Sequence, residues 1–181
     1  RSGKGFEVAV YGATGHMGAI RERDGAITKL AHLVRSLVVS KARIETAAGG
    51  PVRLELGGQP VKGSAGALVA EGGQGFVPTH SMDEVMARLR RAAERGAENY
   101  LRRLGRRERG REVVRVAYEK LHNAAFDGDA NSASVRNAMS AARACGLWKE
   151  EPVLGWTVSC DARLFATEYP GMEVLTFGPG Q

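Results

Sequence analysis

Histidines are the residues of this chain whose type and spacing bear most directly on chemistry. His16 stands between small residues in Gly15-His16-Met17-Gly18, where its ring is free to reach outward as a hydrogen-bond donor. The other three histidines and the two cysteines do not have the spacing of metal ligands; they are His32, His80, His122, Cys145 and Cys160. The sequence therefore predicts a histidine presented on a loop and no metal centre built from its own residues.

The glycines around His16 also allow a second interpretation. Residues 12–18, Gly-Ala-Thr-Gly-His-Met-Gly, resemble the phosphate-binding turn of a dinucleotide fold, in which glycines let a pyrophosphate approach a helix N-terminus. Residues 21–25 (Arg-Glu-Arg-Asp-Gly) interrupt the pattern before any apolar helical stripe begins. The acidic-ended second strand that such a fold needs about 20 residues further on is replaced by a predicted helix. A dinucleotide-binding oxidoreductase is therefore the weaker alternative.

Composition and charge limit the class of protein. The chain has 181 residues, of which 43% are hydrophobic, so it can bury a core. No apolar run approaches the roughly 20 residues that span a bilayer, and no export signal is present. The two cysteines form no disulfide framework, which favours a cytoplasmic protein. The strand pattern begins within residues 1–6, which suggests an N-terminus inside a larger polypeptide.

Positive charge is concentrated in one stretch. The net charge is +6, and eleven arginines lie between Arg88 and Arg115, densest in residues 102–111. Such a run can bind phosphate backbones, but only Tyr100 is interleaved with it and no nucleic-acid module is recognisable. A solvated basic helix face is favoured over nucleic-acid binding.

Hydrophobic periodicity predicts an alternation of strands and helices in residues 1–123. Phe6, Val8 and Val10 mark a first strand, and an apolar stripe marks a helix over residues 25–39. Short strands are predicted at residues 53–56 and 67–71, with turns at Gly57-Gly58 and Gly72-Gly73. Ser81 and Glu84 form a capping box for a second helix that ends at Gly105, and residues 112–121 form another strand. This β-α-β-β-α-β order predicts an α+β fold, a ferredoxin-like antiparallel sheet with two helices on one face.

Residues 132–181 have a different rhythm. Residues 124–131 are polar and glycine-containing, typical of a linker. Ser132 is predicted to cap a third helix that ends at Gly146. A β-α-β fragment of an α/β domain is then predicted. It consists of a short strand at residues 154–158, one or two helical turns at 161–167 and a strand at 172–177.

Two blocks of sequence resemble metallopeptidase family twenty, the group of aminoacylases, peptidase T and succinyl-diaminopimelate desuccinylase. The first block is Gly15-His16-Met17-Gly18 with the helix that opens at Ala26-Ile27. The second comprises residues 156–165 (Trp-Thr-Val-Ser-Cys-Asp-Ala-Arg-Leu-Phe) and 176–180 (Thr-Phe-Gly-Pro-Gly). The order of the blocks and the predicted insert between them strengthen the match. By this resemblance, residues 1–123 are a lid and dimerisation domain, 124–131 a linker, and 132–181 an incomplete return segment of the catalytic domain.

The resemblance implies a zinc-dependent exopeptidase or amidohydrolase that hydrolyses a peptide or N-acyl amino acid. In the family, two zinc ions bridge a water, and a glutamate takes its proton. His16 would donate a hydrogen bond to the developing oxyanion in the partner subunit's active site. The zinc ligands would lie outside residues 1–181, so the chain alone is expected to be inactive. A homodimer through the lid is implied as well.

The resemblance also suggests residues that bind the substrate. Ser159 and Arg163 would hold a substrate carboxylate, since the fork of an arginine suits bidentate binding. Gly178 and Gly180 would shape the floor of the specificity pocket, and His80 is a candidate for facing the substrate. The alternative for the second block is an Asp161 helix cap and a structural Arg163.

The chain departs from the family at one position that affects substrate recognition. Many lids carry Asn-x-Ile-Pro where residues 73–78 here read Gly-Gln-Gly-Phe-Val-Pro. The way in which a substrate carboxylate would be bound is therefore left open, and the sequence fits peptidase-like and deacylase-like members of the family equally. A non-catalytic dimerisation scaffold, derived from a parent that lost its metal site, remains the main alternative function.

Overall fold

The computed structural model describes residues 2–12, 24–48, 52, 54–63, 67–122, 125–150, 152–153 and 161–175. The chain separates into two compact units, one formed by Gly3–His122 and the other by Asn123–Gln181 with Arg1–Ser2. The assignment of these units to a lid and a return segment stays a prediction. No helix in these ranges is long and apolar enough to cross a membrane.

In the described residues the larger unit contains a four-stranded sheet with helices between the strands. Its elements in chain order are β1 (Ser2–Val10), α1 (Ala26–Ala48), β2 (Leu54–Lys62), β3 (Leu68–Phe76), α2 (Met82–Arg103), the short α3 (Gly110–Val113) and β4 (Val114–His122). The strand order is β2-β3-β1-β4, and the β1–β4 and β2–β3 pairs are antiparallel. The predicted α+β fold and its element order are confirmed, with α3 as an addition.

The alternation seen in the sequence explains the core. Phe6, Val8 and Val10 point to one face of the sheet and are buried, because successive side chains of a strand alternate between its faces. The apolar stripes of α1 and α2 cover that face, contributing Leu30, Leu33 and Leu37 from α1 and Leu89, Ala92, Ala93 and Ala97 from α2. The two helices meet at Gly96, where an added Cβ would lie 2.5 Å from the Cα of Leu33. This close approach requires glycine.

Capping determines both ends of α2. The Ser81 side chain accepts a hydrogen bond from the Glu84 amide, and the Glu84 carboxylate accepts one from the Ser81 amide, so the predicted capping box is confirmed. At the other end Gly105 has a φ of 73°, and the Arg106 amide donates to the Leu101 carbonyl at 2.9 Å. These are the features of a Schellman motif, which ends the helix and directs residue 106 onward.

Two details of the predicted β2–β3 hairpin are wrong. Gly57 and the Gly72-Gly73 pair lie within strands and not in turns, with Leu56 opposite Gly72 and Glu55 opposite Gly73. The pairing of β2 with β3 instead continues as far as Gly63, whose amide donates to the Ala67 carbonyl at 2.9 Å. Glycine weakens a strand but does not prevent pairing, and here the hydrogen bonds to the partner strand keep these glycines in extended structure.

Helix α1 also continues beyond the predicted residue 39, because Ile44 extends its buried stripe.

The smaller unit contains α4 (Ala133–Ala144) and α5 (Ala162–Glu168). The predicted cap of α4 is confirmed, since the Ser132 hydroxyl accepts a hydrogen bond from the Val135 amide, and Gly146 follows the helix with a φ of 69°. Residues 172–175, the described part of the predicted last strand, pair with no strand in the described ranges. A strand needs a hydrogen-bonded neighbour, and the predicted strand at residues 154–158 lies outside the described ranges. Glu173 instead accepts a hydrogen bond from the Ser134 amide at 2.7 Å, at the first turn of α4.

Candidate functional site

The predicted site residues fall in different parts of the chain. His16, Ser159, Gly178 and Gly180 lie outside the residues whose positions are described. Arg163 lies in the first turn of α5, after Asp161 at the N-cap position, but no side-chain hydrogen bond from Asp161 caps the helix. The proposed roles of these residues therefore stay predictions.

His80 lies in the turn between β3 and α2, directly before the Ser81 cap. Its backbone amide donates to the Val77 carbonyl at 2.9 Å, which fixes the turn. The Nδ1 atom of its partly buried ring makes no hydrogen bond with any described residue. An imidazole in this state has a nitrogen available for a further partner. Its role toward a substrate stays a prediction.

His16 lies in residues 13–23, called here the His16 segment, which follow Gly12 and precede Asp24. The described residues on either side of this segment form a polar cluster in the larger unit. Lys29, on α1 and fully buried, donates to the Tyr11 carbonyl and forms an ion pair with Asp24, with 2.6 Å between Nζ and Oδ1. Arg106 lies 2.8 Å from the other Asp24 oxygen, between Nη1 and Oδ2, and also binds Glu108. The Asp24–Lys29–Arg106 cluster thus connects residues 11 and 24 to helix α1 and to the connection between α2 and α3.

Backbone contacts hold the same two ends together. A Cβ placed on Gly12 would lie 2.5 Å from the Ala26 amide nitrogen and 2.7 Å from the Asp24 carbonyl oxygen. The Gly25 amide donates to the Tyr100 hydroxyl at 3.2 Å, which connects the start of α1 to the buried face of α2. The Tyr11 amide donates to the Val113 carbonyl at 2.9 Å. Residue 12 and residues 24–26 are therefore in direct contact.

Arg106 and Glu108 stabilise each other's charged states. The hydrogen bond that Arg106 donates to the Glu108 carboxylate raises the pKa of Arg106, and the negative charge of Asp24 adds to this. The same bond lowers the pKa of Glu108 below its ordinary value. Both groups are therefore charged near neutral pH, and Asp24 faces two cations.

Sequence reasoning missed this cluster, although one signal was present. A lysine at position 29 interrupts an otherwise apolar stripe, next to Leu30 and before Leu33. Lysine is almost never fully buried unless it is paired, so its position on the core face indicated an acidic partner. Arg106 gave no such signal, because it stands among several exposed arginines.

The structure bears on two other interpretations of the sequence, a dinucleotide-binding fold and a metal site. Helix α1 begins at Ala26, eight residues after Gly18, and β2 is not a neighbour of β1 in the sheet. A dinucleotide fold requires the helix to begin at the glycines and a parallel neighbour to follow, so this fold does not provide one. Within the described ranges, no three His, Cys, Asp or Glu side chains come together to hold a metal ion, and these residues do not fit a zinc site.

Helix α1 has a second apolar face that is open to solvent. Ile27 is 76% exposed and Val38 is 62% exposed, and Val34 and Val39 are exposed as well. Helix α1 packs over β2 and β3, whereas α2 packs over β4, so this face lies on the same half of the unit as β2, an edge strand of the sheet. On β2, Val61 is also exposed. Ile27, Val34 and Val38 are seven and four residues apart, so they lie along one side of the helix, and exposed apolar surface of this kind is typical of an interaction site.

The fold resembles solved structures of amidases. An amidase of the hydantoinase/carbamoylase family from Burkholderia ambifaria is 22% identical, with 93% of this chain and 38% of that one covered and a TM-score of 0.57. A second from Burkholderia vietnamiensis is 21% identical, with 91% and 37% covered and a TM-score of 0.57. A third from Burkholderia phymatum is 15% identical, with 93% and 40% covered and a TM-score of 0.59.

At these identities the likeness concerns the fold. The chain spans 37–40% of the length of these three structures. No protein-family model matches the sequence, and no curated protein matches it.

Proposed function

We propose that this chain is the lid and dimerisation part of a larger amidohydrolase. The observation that carries the proposal is the likeness to hydantoinase/carbamoylase family amidases over 91–93% of the chain, which extends across both units. The two sequence blocks, residues 15–18 and residues 156–165 with 176–180, support the same assignment. The substrate class is a peptide or an N-acyl amino acid, and the family name of the matched structures adds N-carbamoyl compounds.

In this proposal His16 donates a hydrogen bond to the oxyanion that develops when the amide carbonyl is attacked. A donor that meets this oxygen is worth about 100- to 1000-fold in turnover. The sequence block Gly15-His16-Met17-Gly18 supports this role by its resemblance to the lid of metallopeptidase family twenty. Zinc would be bound by residues outside this chain. Ser159, Arg163, Gly178, Gly180 and His80 are the proposed substrate-binding residues.

We propose further that a second copy of the chain covers the exposed face of α1. The four apolar side chains on that helix and the β2 edge beside it can form one self-complementary surface, as two-fold symmetry requires. Pairing two β2 edges would also remove an exposed edge from the sheet. Cytoplasmic location is part of this proposal, based on the cysteine content alone.

A non-catalytic dimerisation scaffold is the second candidate. The exposed face of α1 favours it, since that surface needs no chemistry to be useful. Hydrolysis by the longer protein, assayed on dipeptides, N-acyl amino acids and N-carbamoyl amino acids with and without zinc, separates the two. Zinc-dependent release of an amino acid supports the amidohydrolase. Dimerisation without zinc binding or hydrolysis supports the scaffold.

A further inference from the structure

We propose that the Asp24–Lys29–Arg106 cluster is a positioning device that holds the two ends of the His16 segment, and that turnover depends on it. The inference rests on the proposed function for its effect on catalysis. The contacts that carry it are all between described residues. None of the three residues is proposed to touch the substrate.

The burial of Lys29 is the first reason. Its side chain is fully buried on the core face of α1, where an apolar residue would fit the surrounding leucines. Taking an ammonium group and a carboxylate out of water is unfavourable, and well-packed apolar replacements of a buried ion pair are often neutral or stabilising. A buried pair is thus poorly explained by stability alone. Fixing one conformation is a role that such pairs have in some proteins.

The partners of Lys29 are the second reason. Its Nζ atom binds the Tyr11 carbonyl on one side and the Asp24 carboxylate on the other, so one ammonium group bridges the residues before and after the segment. These partners are 13 positions apart in the sequence. The contact with Tyr11 is a hydrogen bond, whereas the contact with Asp24 is an ion pair, since Asp24 Oδ1 has no hydrogen-bond partner among the described residues.

Arg106, in the connection between α2 and α3, is the third member of the cluster. The Schellman end of α2 directs the chain at residue 106 toward Asp24, where the guanidinium binds the carboxylate oxygen that Lys29 does not bind. Glu108 holds the same guanidinium from the other side. Asp24 is therefore in contact with two cations, Lys29 on α1 and Arg106 in the connection between α2 and α3.

Gly12 allows the two ends of the His16 segment to lie close together. Any side chain there would collide with the Ala26 amide nitrogen, so the chain at residue 12 touches the first residue of α1. Residues 12 and 24–26, which flank the His16 segment, are therefore in contact with each other. Misplacing a catalytic group by about 1 Å can cost on the order of 100-fold in rate, even when the cause is distant.

The test uses Arg106→Gln in the longer protein, with Arg107→Gln as the matched control. Arg106 is partly exposed, so its replacement opens no hole in the core, and Arg107 is its exposed neighbour. We expect Arg106→Gln to lower kcat by about 10- to 100-fold with KM within about threefold of wild type. Arg107→Gln should match wild type, and Arg106→Lys should recover part of the loss. A kcat within about twofold of wild type for Arg106→Gln, or a change confined to KM, would overturn the inference.

A second measurement does not depend on catalysis. Amide hydrogen exchange in the 181-residue chain reports on the Tyr11 and Gly25 amides, which donate to Val113 and Tyr100. We expect Arg106→Gln to accelerate exchange at these two amides and to leave the amides in the middle of α2 unchanged. Unchanged exchange at both, or equal acceleration throughout the unit, would overturn the inference. If the wild-type protein hydrolyses nothing, the proposed function fails, and the exchange result still decides whether the cluster fixes the two ends.

Discussion

The Nζ atom of Lys29 lies 2.6 Å from Oδ1 of Asp24, and the two side chains are only 0% and 7% exposed. A lysine on the core face of α1 thus has its charge balanced by a residue just before the same helix. The pair lies where the chain resumes after the segment that contains His16. Its contribution to folding can be measured separately from the role in turnover that we propose for it.

Replacing Lys29 by methionine should destabilise the larger unit. The substitution keeps the length and volume of the side chain but leaves the Tyr11 carbonyl and one Asp24 oxygen without their cation. Removing one partner of a buried pair costs about 3–5 kcal/mol. Urea unfolding of the 181-residue chain, followed by far-ultraviolet circular dichroism, measures this loss. A Lys29→Met variant as stable as wild type would contradict the prediction.

Lys41→Met is the matched control for that change. Lys41 pairs with Glu45 one helical turn away, at 3.7 Å, and both side chains are partly exposed to solvent. Exposed pairs at this spacing contribute about 0.3–0.5 kcal/mol. The double variant Asp24→Asn with Lys29→Met should be less destabilised than the sum of its single variants, because the two charges interact directly.

Replacing Val38 by glutamate should weaken the proposed dimer. Val38 is 62% exposed, so the change should leave the core of the unit intact while it introduces a charge into the proposed contact between two copies. Sedimentation velocity over a range of concentrations should show the association constant falling by at least about tenfold, because a buried unpaired charge is strongly unfavourable. Val153→Glu, at an exposed valine of the smaller unit, is the control and should associate as wild type does. A wild-type chain that stays monomeric at every concentration would contradict the proposal.

Stability at high pH should depend on Tyr118. Its hydroxyl donates to the Met86 carbonyl at 2.9 Å, and burial raises the pKa of Tyr118 to about 12. In the unfolded chain the group ionises near pH 10, so its contribution is full below about pH 10 and is lost as the pH rises toward 12. The free energy of unfolding should therefore fall less steeply from pH 10 to 12 in Tyr118→Phe than in wild type. Tyr169→Phe, at an exposed tyrosine, should follow the wild-type curve, and an equal slope for Tyr118→Phe would contradict the assignment.

The sequence predicted the elements whose signals are local. The Ser81–Glu84 capping box and the glycine after α2 depend on neighbours within a few residues, and both are present as predicted. The alternation of Phe6, Val8 and Val10 also fixed the buried face of β1.

Features that depend on a distant partner were predicted less well. The Gly72-Gly73 pair lies in a strand because β2 pairs with it, and the ring of contacts around Asp24 needs Arg106, 82 positions away. No local pattern marks such contacts. His80 is the candidate site residue whose surroundings the structure describes most fully, and its role stays a prediction.

Hydrolysis by the longer protein, with His16→Ala compared to wild type, tests the central proposal most directly. The assay uses zinc-loaded protein with a panel of dipeptides, N-acyl amino acids and N-carbamoyl amino acids, and His122→Ala serves as the control. We predict that wild type and His122→Ala cleave at least one of these classes, and that His16→Ala loses about 100- to 1000-fold in kcat with its zinc content unchanged. Full activity in His16→Ala would remove that residue from the chemistry. A wild-type protein that binds no zinc and cleaves none of the substrates would contradict the amidohydrolase assignment.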